Sequence, residues 1–373
     1  MLSYENCRKG ISIIIPNFNG EKVLKFSLIS LANQTFPKDM YEVIVVDNAS
    51  SDNSLKVVEE IARRHPELSI RLIELRRNLG YGRAVNIGAL NARFDLILAS
   101  NNDVIFHPKY LENLYETYCR AKKMDEKIAA AQGLHLYYPY VMCIYNAGGA
   151  LSIITGVYRY YKECLTLEEF KKLMEVVKKI SKGYKYVIFP NGAGALIEKD
   201  IFRKIGGYSQ LYFSGIEEVD LGILLHMLGR KVIFIPSAIF YHMEGFTLGK
   251  DLFSARKLFT LSYGLFVKYL ALYDVKHLIP VIYMYVLFIF CITALALVKR
   301  SKEMCYTMIS TLTTNFKIME KIKIRRSRIS ALKVFDFDHV VNYSKTIKMY
   351  FCLSNHISNI IKNVLENARF KRR

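Results

Sequence analysis

The sequence lacks several features that would define its class at once. Tryptophan is absent, and 8 prolines and 20 glycines among 373 residues are too few for a collagen-like or linker-dominated chain. The seven cysteines are scattered without a C-x-x-C pair, so we expect a reducing compartment and neither a zinc site nor a disulfide framework. The absence of G-x-G-x-x-G after the first apolar run, and of any G-x-x-x-x-G-K-[ST], argues against a dinucleotide dehydrogenase or a P-loop nucleotidase.

Charge is plentiful but unevenly distributed. The chain has a formal net charge of +20, and apolar residues make up 52% of it, which excludes wholesale disorder. Residues 299–373 contain 17 lysines and arginines against 5 acidic residues. A basic tail of this kind binds nucleic acid, anionic lipid or anionic substrates. Because no nucleic-acid-binding module is recognisable, we expect no nucleic-acid partner.

The first hundred residues alternate between two patterns. Short apolar runs rich in β-branched residues are separated by segments with apolar residues at helical spacing. The runs are continuous rather than alternating, which indicates strands covered on both faces. Repeated β-α-β units with short loops predict an α/β fold with a mostly parallel, doubly wound sheet. The predicted strands are 11–15, 42–46, 70–75 and 95–99, and the predicted helices are 21–33, 52–64 and 81–93.

Polar loops follow all four predicted strands. They span residues 17–20, 47–52, 78–83 and 101–103. Ordinary turn chemistry explains any one of them, because Asn, Asp and Gly end strands in many proteins. In an open parallel sheet, however, ligands bind outside the carboxyl ends of the strands. Four polar loops at one edge therefore favour a binding cleft.

Five segments occur in order along the chain: I-S-I-I-I-P-N-F-N-G (11–20), V-I-V-V-D-N-A-S-S-D (43–52), R-N-L-G-Y-G-R-A-V-N-I-G (77–88), N-N-D (101–103), and G-G-Y (206–208) with F-S-G-I-E-E-V-D-L (213–221). In this order and spacing they resemble the family 2 glycosyltransferases. The resemblance covers roughly residues 10–250 and implies a GT-A fold, which is Rossmann-like, and a nucleotide-diphosphate sugar as donor. The P-N-F-N-G and N-L-G-Y-G segments are most similar to rhamnosyltransferase-type members. The absence of Trp excludes the Q-x-x-R-W motif of processive synthases.

The resemblance assigns a set of residues to the nucleotide sugar. Asp47 would hydrogen-bond the base, and Arg83, near a helix start, would meet the phosphates. A surface arginine on a helix is the plainer interpretation of Arg83. The complete expected set is Pro16, Asn17, Glu21, Asp47, Asn78, Arg83 and Asn102.

Asn101-Asn102-Asp103 occupies the D-x-D position of the family. There the resemblance implies a divalent cation, Mg²⁺ or Mn²⁺, which neutralises the departing diphosphate. Asn101 replaces the first acid, so Asp103 is the carboxylate available. His242 follows a later strand, where members of the family often carry a further metal ligand. A packed or surface histidine is the alternative for His242.

Glu217-Glu218 resembles the acidic motif whose second member is the general base. Glu218 would then take the proton of the acceptor hydroxyl during in-line attack on the anomeric carbon. The usual residue is Asp, and Glu218 is one methylene longer, so Glu217 remains the second candidate. Acids that merely favour a helix N-terminus are the structural alternative.

The carboxyl-terminal third differs in composition. Residues 278–298 form a 21-residue run without a charge, which is long enough to span a bilayer or to dip into one leaflet. We therefore expect a glycosyltransferase domain at 1–250, with an insertion at 133–185 near the cleft, and a membrane-associated helical region at 251–373. The basic tail would bind anionic membrane lipids, and the catalytic domain would face the cytoplasm.

The sequence thus predicts an inverting glycosyltransferase. It would act on a hydroxyl acceptor in glycan, glycolipid or surface-polysaccharide synthesis, with a lipid-linked or glycan acceptor. Because Asn101 and Glu218 differ from the usual residues of the family, a catalytically inactive nucleotide-sugar-binding or scaffold protein remains an alternative. A sugar nucleotidyltransferase shares the broad fold, but it usually opens with a Gly-rich basic loop rather than P-N-F-N-G.

Overall fold

The computed structural model describes most of the first 243 residues and a short part of the remainder. The described residues are 10–151, 158–160, 163–180, 183–212, 217–243, 319–335 and 339–340, with six single positions between 279 and 293. The first half contains β1 (Ile11–Asn17), α1 (Glu21–Ala32), β2 (Tyr41–Asp47), α2 (Ser54–Arg64), β3 (Ile70–Glu74), α3 (Tyr81–Leu90), β4 (Leu96–Ser100), β5 (Val104–Phe106), α4 (Tyr110–Met124) and β6 (Ile128–Tyr137). The second half contains β7 (Cys143–Asn146), β8 (Gly149–Leu151), β9 (Tyr158–Tyr160), β10 (Glu163–Cys164), α5 (Leu167–Ile180), β11 (Lys185–Val187), β12 (Gly194–Glu198), α6 (Lys199–Lys204), α7 (Glu217–Met227), β13 (Lys231–His242) and α8 (Met319–Leu332).

One large sheet organises the described residues. Its path is β10-β7-β6-β12-β4-β1-β2-β3, and β13 joins β6, β5 and β11. The pairs β1–β2, β1–β4 and β2–β3 are parallel, which confirms the doubly wound pattern predicted for the first hundred residues. The expectation of a mostly parallel sheet is wrong for the rest. There β12 is antiparallel to both neighbours, and only β6–β13 is parallel among the described pairs.

The central strands are buried on both faces, as their continuous apolar runs predict. Every residue of β1, β2 and β4 is buried, whereas the edge strand β3 is partly exposed. Helices α1, α2 and α4 pack into a core on one face, and α3, α5, α6 and α7 pack into a core on the other. This layering fixes the carboxyl ends of β1, β2 and β4 at one edge.

The predicted insertion at 133–185 contains short strands and α5. Strand β7 pairs with β6 at its edge, and β10 pairs with β7. Cys143 and Cys164 are directly opposite in the β7–β10 pair and form a disulfide. The expectation that no disulfide is present is therefore wrong for this pair, because scattered spacing in sequence says little about neighbours across antiparallel strands.

The predicted apolar helix at 278–298 lies outside the described residues except at six positions. Five of those positions carry large side chains that are 45–73% exposed: Ile279, Ile282, Tyr283, Val286 and Phe290. Within the part of the chain that the structure describes, no helix has the length and apolar content needed to cross a membrane.

Candidate active site

Three predicted residues from three strand ends form one hydrogen-bonded chain. The carboxamide Nδ2 of Asn17 donates to Asp47 Oδ1 at 2.9 Å, and Asn102 Nδ2 donates to Asn17 Oδ1 at 2.7 Å. Asn17 ends β1, Asp47 ends β2 and Asn102 follows β4, so the parallel register brings them together. All three are buried. The expected convergence of polar loops is confirmed at this edge, and the buried Pro16 precedes Asn17 in β1.

The loop after β2 is held by its own carboxylates. Asp47 accepts hydrogen bonds from the Ser50 backbone N–H at 2.8 Å and the Ser50 hydroxyl at 2.6 Å. Asp52 accepts from Ser54 and from the Glu21 backbone N–H at 2.9 Å. Burial raises the pKa of Asp52, but the hydrogen bonds from Ser54 and Glu21 outweigh that effect and hold the pKa below its usual range. The two loops are therefore locked together.

Gly20 lies directly against the carboxamide pair. A Cβ at this position would lie 2.1 Å from Asn17 Oδ1 and 2.3 Å from Asn102 Nδ2. No side chain fits at those separations, so glycine is required for this close approach. The Gly20 backbone N–H also donates to Ser54 Oγ at 2.9 Å. The P-N-F-N-G segment thus has a steric reason for its final residue.

Polar groups at the start of α3 extend the edge. The Asn78 carboxamide accepts from the Gly80 N–H at 2.9 Å, and Gly80 has a φ of 84°, which favours glycine. Leu79 N–H donates to Asn48 Oδ1 at 3.2 Å and links this loop to the loop after β2. Arg83 is partly exposed, and its guanidinium donates to the Gln210 carbonyl at 3.2 Å.

Glu21 lies at the rim of this edge. Its carboxylate accepts from the backbone N–H of Asn53 at 3.2 Å and from the Asn53 carboxamide at 3.1 Å. The residue thus fastens the start of α1 to the loop before α2. Its expected contact with the nucleotide, like that of the other predicted binding residues, stays a prediction.

The two predicted metal ligands are neighbours. His242 Nε2 lies 2.8 Å from Asp103 Oδ1, and Asn101 Nδ2 lies 3.2 Å from the same imidazole nitrogen. Both side chains are about nine-tenths buried. A carboxylate oxygen and an imidazole nitrogen are donors that divalent transition metals accept. Among the described residues no three His, Cys, Asp or Glu side chains form a metal-binding group, so a cation here would also need donor-diphosphate or water oxygens.

The two candidate bases begin α7, and they differ in exposure. Glu217 is 1% exposed, whereas Glu218 is intermediate. A Cβ on Gly192 would lie 3.6 Å from Glu218 Oε2, so the Glu218 carboxylate lies beside the Gly192 backbone. The Tyr81 hydroxyl donates to the Gly192 carbonyl, which connects α3 to the same loop. The geometry thus leaves Glu218 as the more accessible acid.

Sequence reasoning missed several residues that shape this site. Burial raises the pKa of Tyr208 well above its usual value, and the carboxylates of Glu218 and Glu217 raise it further, so its hydroxyl stays protonated. In the first turn of α7, Asp220 accepts from the Tyr212 hydroxyl at 3.1 Å and from the Arg325 guanidinium of α8. Tyr208 and Asp220 lie in segments that carry the family resemblance, but the resemblance assigns them no role here. No local pattern marks Arg325, because its partner Asp220 lies 105 positions away.

Residues 12–126 match the sequence model of the glycosyl transferase family 2. This part of the chain is therefore similar to that family. The matched range contains β1 to α4 and includes Asn17, Asp47, Asn102 and Asp103. It ends before Glu217, Glu218 and His242.

Two relatives are named as transferases of sugars, and one solved structure shares the fold. A dolichyl N-acetyl-α-D-glucosaminyl phosphate 3-β-D-2,3-diacetamido-2,3-dideoxy-β-D-glucuronosyltransferase of Methanococcus voltae is 35% identical over 33% of this chain and 38% of that protein. An N-acetylglucosaminyl-diphospho-decaprenol L-rhamnosyltransferase of Mycobacterium tuberculosis is 24% identical over 56% of this chain and 68% of that protein. The crystal structure of GalNAc-T7 with UDP, GalNAc and Mn²⁺ aligns with a TM-score of 0.52 at 17% identity, covering 71% of this chain and 49% of that chain. This last likeness is one of fold, and it agrees with the expected GT-A architecture.

Proposed function

We propose that the chain is an inverting glycosyltransferase that moves one sugar from a nucleotide-diphosphate sugar to a hydroxyl group. The observation that carries this proposal is the position of the Asp103–His242 pair. It lies at the sheet edge where Asn17, Asp47 and Asn102 are hydrogen-bonded to one another. A nucleotide cradle next to a pair of metal-type donors suits a diphosphate leaving group.

The donor would bind along the loops after β1, β2 and β3. Buried Asp47 holds Asn17 and Ser50 in place, and its remaining lone pairs would face the nucleotide base. Arg83 is partly exposed beside the start of α3, from where its guanidinium would contact the diphosphate. Asp103 and His242 would hold Mg²⁺ or Mn²⁺. When bound, the ion supplies positive charge that balances the departing diphosphate.

The acceptor would approach from the side of α7. Glu218 would accept the proton of the acceptor hydroxyl as its oxygen attacks the anomeric carbon, opposite the leaving diphosphate. Attack from the opposite face inverts the configuration of the sugar. The Gly192 loop and Tyr81 would fix the position of the Glu218 carboxylate.

We infer that the acceptor is lipid-linked or a surface glycan. The relatives from Methanococcus voltae and Mycobacterium tuberculosis are named for acceptors on dolichyl phosphate and decaprenyl diphosphate. These names support a lipid-borne acceptor for this chain.

Residues 251–373 would hold the protein at the cytoplasmic face of a membrane. The exposed Ile279, Ile282, Tyr283, Val286 and Phe290 recur at three- and four-residue spacing, so they lie on one helical face. The basic tail would add attraction to anionic head groups, with each charge near the surface contributing ~1 kcal/mol. The full chain should sediment with phosphatidylglycerol vesicles and stay bound in high salt. Complete release by salt would reject burial of the apolar face.

The activity is tested with purified full-length protein. A panel of nucleotide sugars is screened for thermal stabilisation, and each donor that stabilises the protein is incubated with lipid-linked acceptors in detergent. We expect one donor class to be consumed, with a product of inverted anomeric configuration by NMR. Stabilisation without transfer or donor hydrolysis would favour the inactive binding protein. Formation of a nucleotide sugar from a nucleoside triphosphate and a sugar phosphate would favour the nucleotidyltransferase.

A further inference from the structure

A cavity of about 540 Å³ lies outside the predicted donor site. Three parts of the chain line it: the segment at 203–211, the carboxyl-terminal half of α7, and α8 with the residue that follows it. None of the residues expected to bind donor or metal lines the cavity. It therefore needs an explanation of its own.

The cavity has a strongly basic lining. Among its lining residues, all of which belong to the described part of the chain, none is acidic. Arg325 is ion-paired with Asp220, but its Nε is buried and has no hydrogen-bond partner among the described residues. Basic side chains around a concave surface focus positive potential and attract phosphate. The basic lining residues are Arg203, Lys204, Lys321, Arg325, Arg328 and Lys333.

The remaining wall is apolar. Leu224 and Met227 of α7 and the following Leu228 line the cavity, as do Ile324 and Ile329 of α8. Ile324 is 51% exposed, so part of this apolar wall is open to solvent. A free inorganic anion gains nothing from such a wall. A phosphate attached to a hydrocarbon chain uses both the charges and the apolar surface.

The cavity adjoins the proposed reaction site. Tyr208 lines it, and a Cβ on Gly82 would lie 3.1 Å from Tyr208 Cβ and 3.4 Å from Glu217 Cγ. The buried Tyr208 hydroxyl has no hydrogen-bond partner among the described residues. Gln210 also lines the cavity, and its carbonyl accepts from Arg83.

We propose that this cavity binds the phosphate and the adjacent hydrocarbon of a lipid phosphate. Resting on the proposed function, it would hold the lipid-phosphate end of a lipid-linked acceptor while the glycan end reaches Glu218. An anionic phospholipid of the bilayer offers the same chemistry, so the experiment has to separate the two sources.

Farnesyl phosphate is the probe, with farnesol and inorganic phosphate as its two halves. Binding to the full-length protein in detergent is measured by calorimetry. We expect farnesyl phosphate to bind at least tenfold more tightly than either half. The double variant Lys321→Gln/Arg328→Gln should lose about 10- to 100-fold in affinity, because two charge-assisted contacts are removed. Ile324→Ser should weaken farnesyl phosphate and leave inorganic phosphate unchanged.

The matched control is Lys123→Gln/Lys323→Gln, which removes the same charge at positions that do not line the cavity. It should bind within twofold of the unaltered protein. An equal loss in both double variants would show general charge attraction and overturn the proposal. Phosphatidylglycerol in mixed micelles that displaces farnesyl phosphate at equal concentration would assign the cavity to bilayer lipid and overturn the acceptor role.

Nucleotide-sugar stabilisation of the same variants keeps the two proposals apart. Farnesyl phosphate binding in the cavity without stabilisation by any nucleotide sugar would reject the proposed function and retain the cavity. Donor binding and transfer that are unaffected in Lys321→Gln/Arg328→Gln would reject the cavity as an acceptor site and retain the function.

Discussion

The imidazole Nε2 of His242 lies 2.8 Å from Oδ1 of Asp103, although the two residues are 139 positions apart. The antiparallel pairing of β13 with β5 places His242 opposite Val104, the residue after Asp103. The Met243 N–H also donates to the Asp103 carbonyl at 2.9 Å. The backbone pairing of β13 with β5 therefore brings these two side chains together.

Removal of the Asp103 carboxylate should abolish turnover. Asp103→Ala removes the only acidic oxygen in the Asn101–Asp103 loop, so we expect transfer to fall by at least ~10²-fold and metal-dependent donor stabilisation to disappear. The protein without ligands should still fold, but with a lower melting temperature, because the substitution removes a hydrogen-bond partner of the buried His242. Activity and donor stabilisation are measured with Mg²⁺, with Mn²⁺ and with excess chelator. Full activity of Asp103→Ala, or activity indifferent to chelator, would contradict the metal assignment.

Replacement of the candidate base should separate catalysis from donor binding. Glu218→Gln keeps the shape and removes the proton acceptor, so the transfer rate should fall by ~10²–10⁴ while donor affinity stays near normal. Glu217→Gln is the matched comparison, and it should retain more activity because the buried Glu217 is less accessible. If Glu217→Gln loses most of the transfer rate and Glu218→Gln loses little, Glu217 rather than Glu218 is the base.

A methyl group at Gly20 should disturb the hydrogen-bonded carboxamides of Asn17 and Asn102. In Gly20→Ala the Cβ would lie 2.1 Å from Asn17 Oδ1 and 2.3 Å from Asn102 Nδ2, so these hydrogen-bonded carboxamides must shift. We expect a loss of about 1–3 kcal/mol in unfolding free energy and weaker nucleotide binding. Urea unfolding and calorimetry with the preferred nucleotide measure the two effects.

The control for this variant is Gly192→Ala. Its Cβ would meet Glu218 Oε2 at 3.6 Å, an ordinary contact. Its unfolding free energy and nucleotide affinity should stay close to those of the unaltered protein. Equal effects of both substitutions would show that loss of backbone freedom, rather than the carboxamide contact, is responsible.

Much of the first half could be predicted because local signals and long-range structure agree there. Continuous apolar runs mark β1, β2 and β4, and the parallel connection rule then brings Asn17, Asp47 and Asn102 to one edge. Even so, the sequence predicts Asp47 only as a contact for the base. Its hydrogen bonds to Asn17 and Ser50 depend on loop conformation, which the residue pattern does not specify.

The second half was harder to predict because its pairings are distant. Strand β12 runs antiparallel between β4 and β6, and no local periodicity fixes that direction. The Cys143–Cys164 disulfide likewise follows from the β7–β10 pairing rather than from any cysteine spacing. The ion pair of Arg325 with Asp220 joins residues 105 positions apart.

The buried His226 should make stability depend on pH. Burial lowers its pKa to about 4, the carbonyls of Ile188 and Val187 oppose that shift, and the positive charges of His339 and Lys231 add to it. The unfolded chain therefore binds this proton near pH 6.5, whereas the folded protein binds it only near pH 4. Since the unfolded state holds more protons in that interval, stability falls as the pH drops from about 6.5 to about 4.

When the pH has fallen to about 4, the lowered pKa of His226 has reduced the unfolding free energy by about 3 kcal/mol. His226→Gln keeps a donor for the Ile188 carbonyl, which lies 2.9 Å from His226 Nε2, and cannot titrate. Urea unfolding free energies measured from pH 7.5 to pH 4.5 should fall less steeply for His226→Gln than for the unaltered protein. The absolute stability of the variant does not matter, because the slope carries the test. Parallel curves for His226→Gln and the unaltered protein would show that His226 is already charged in the folded state.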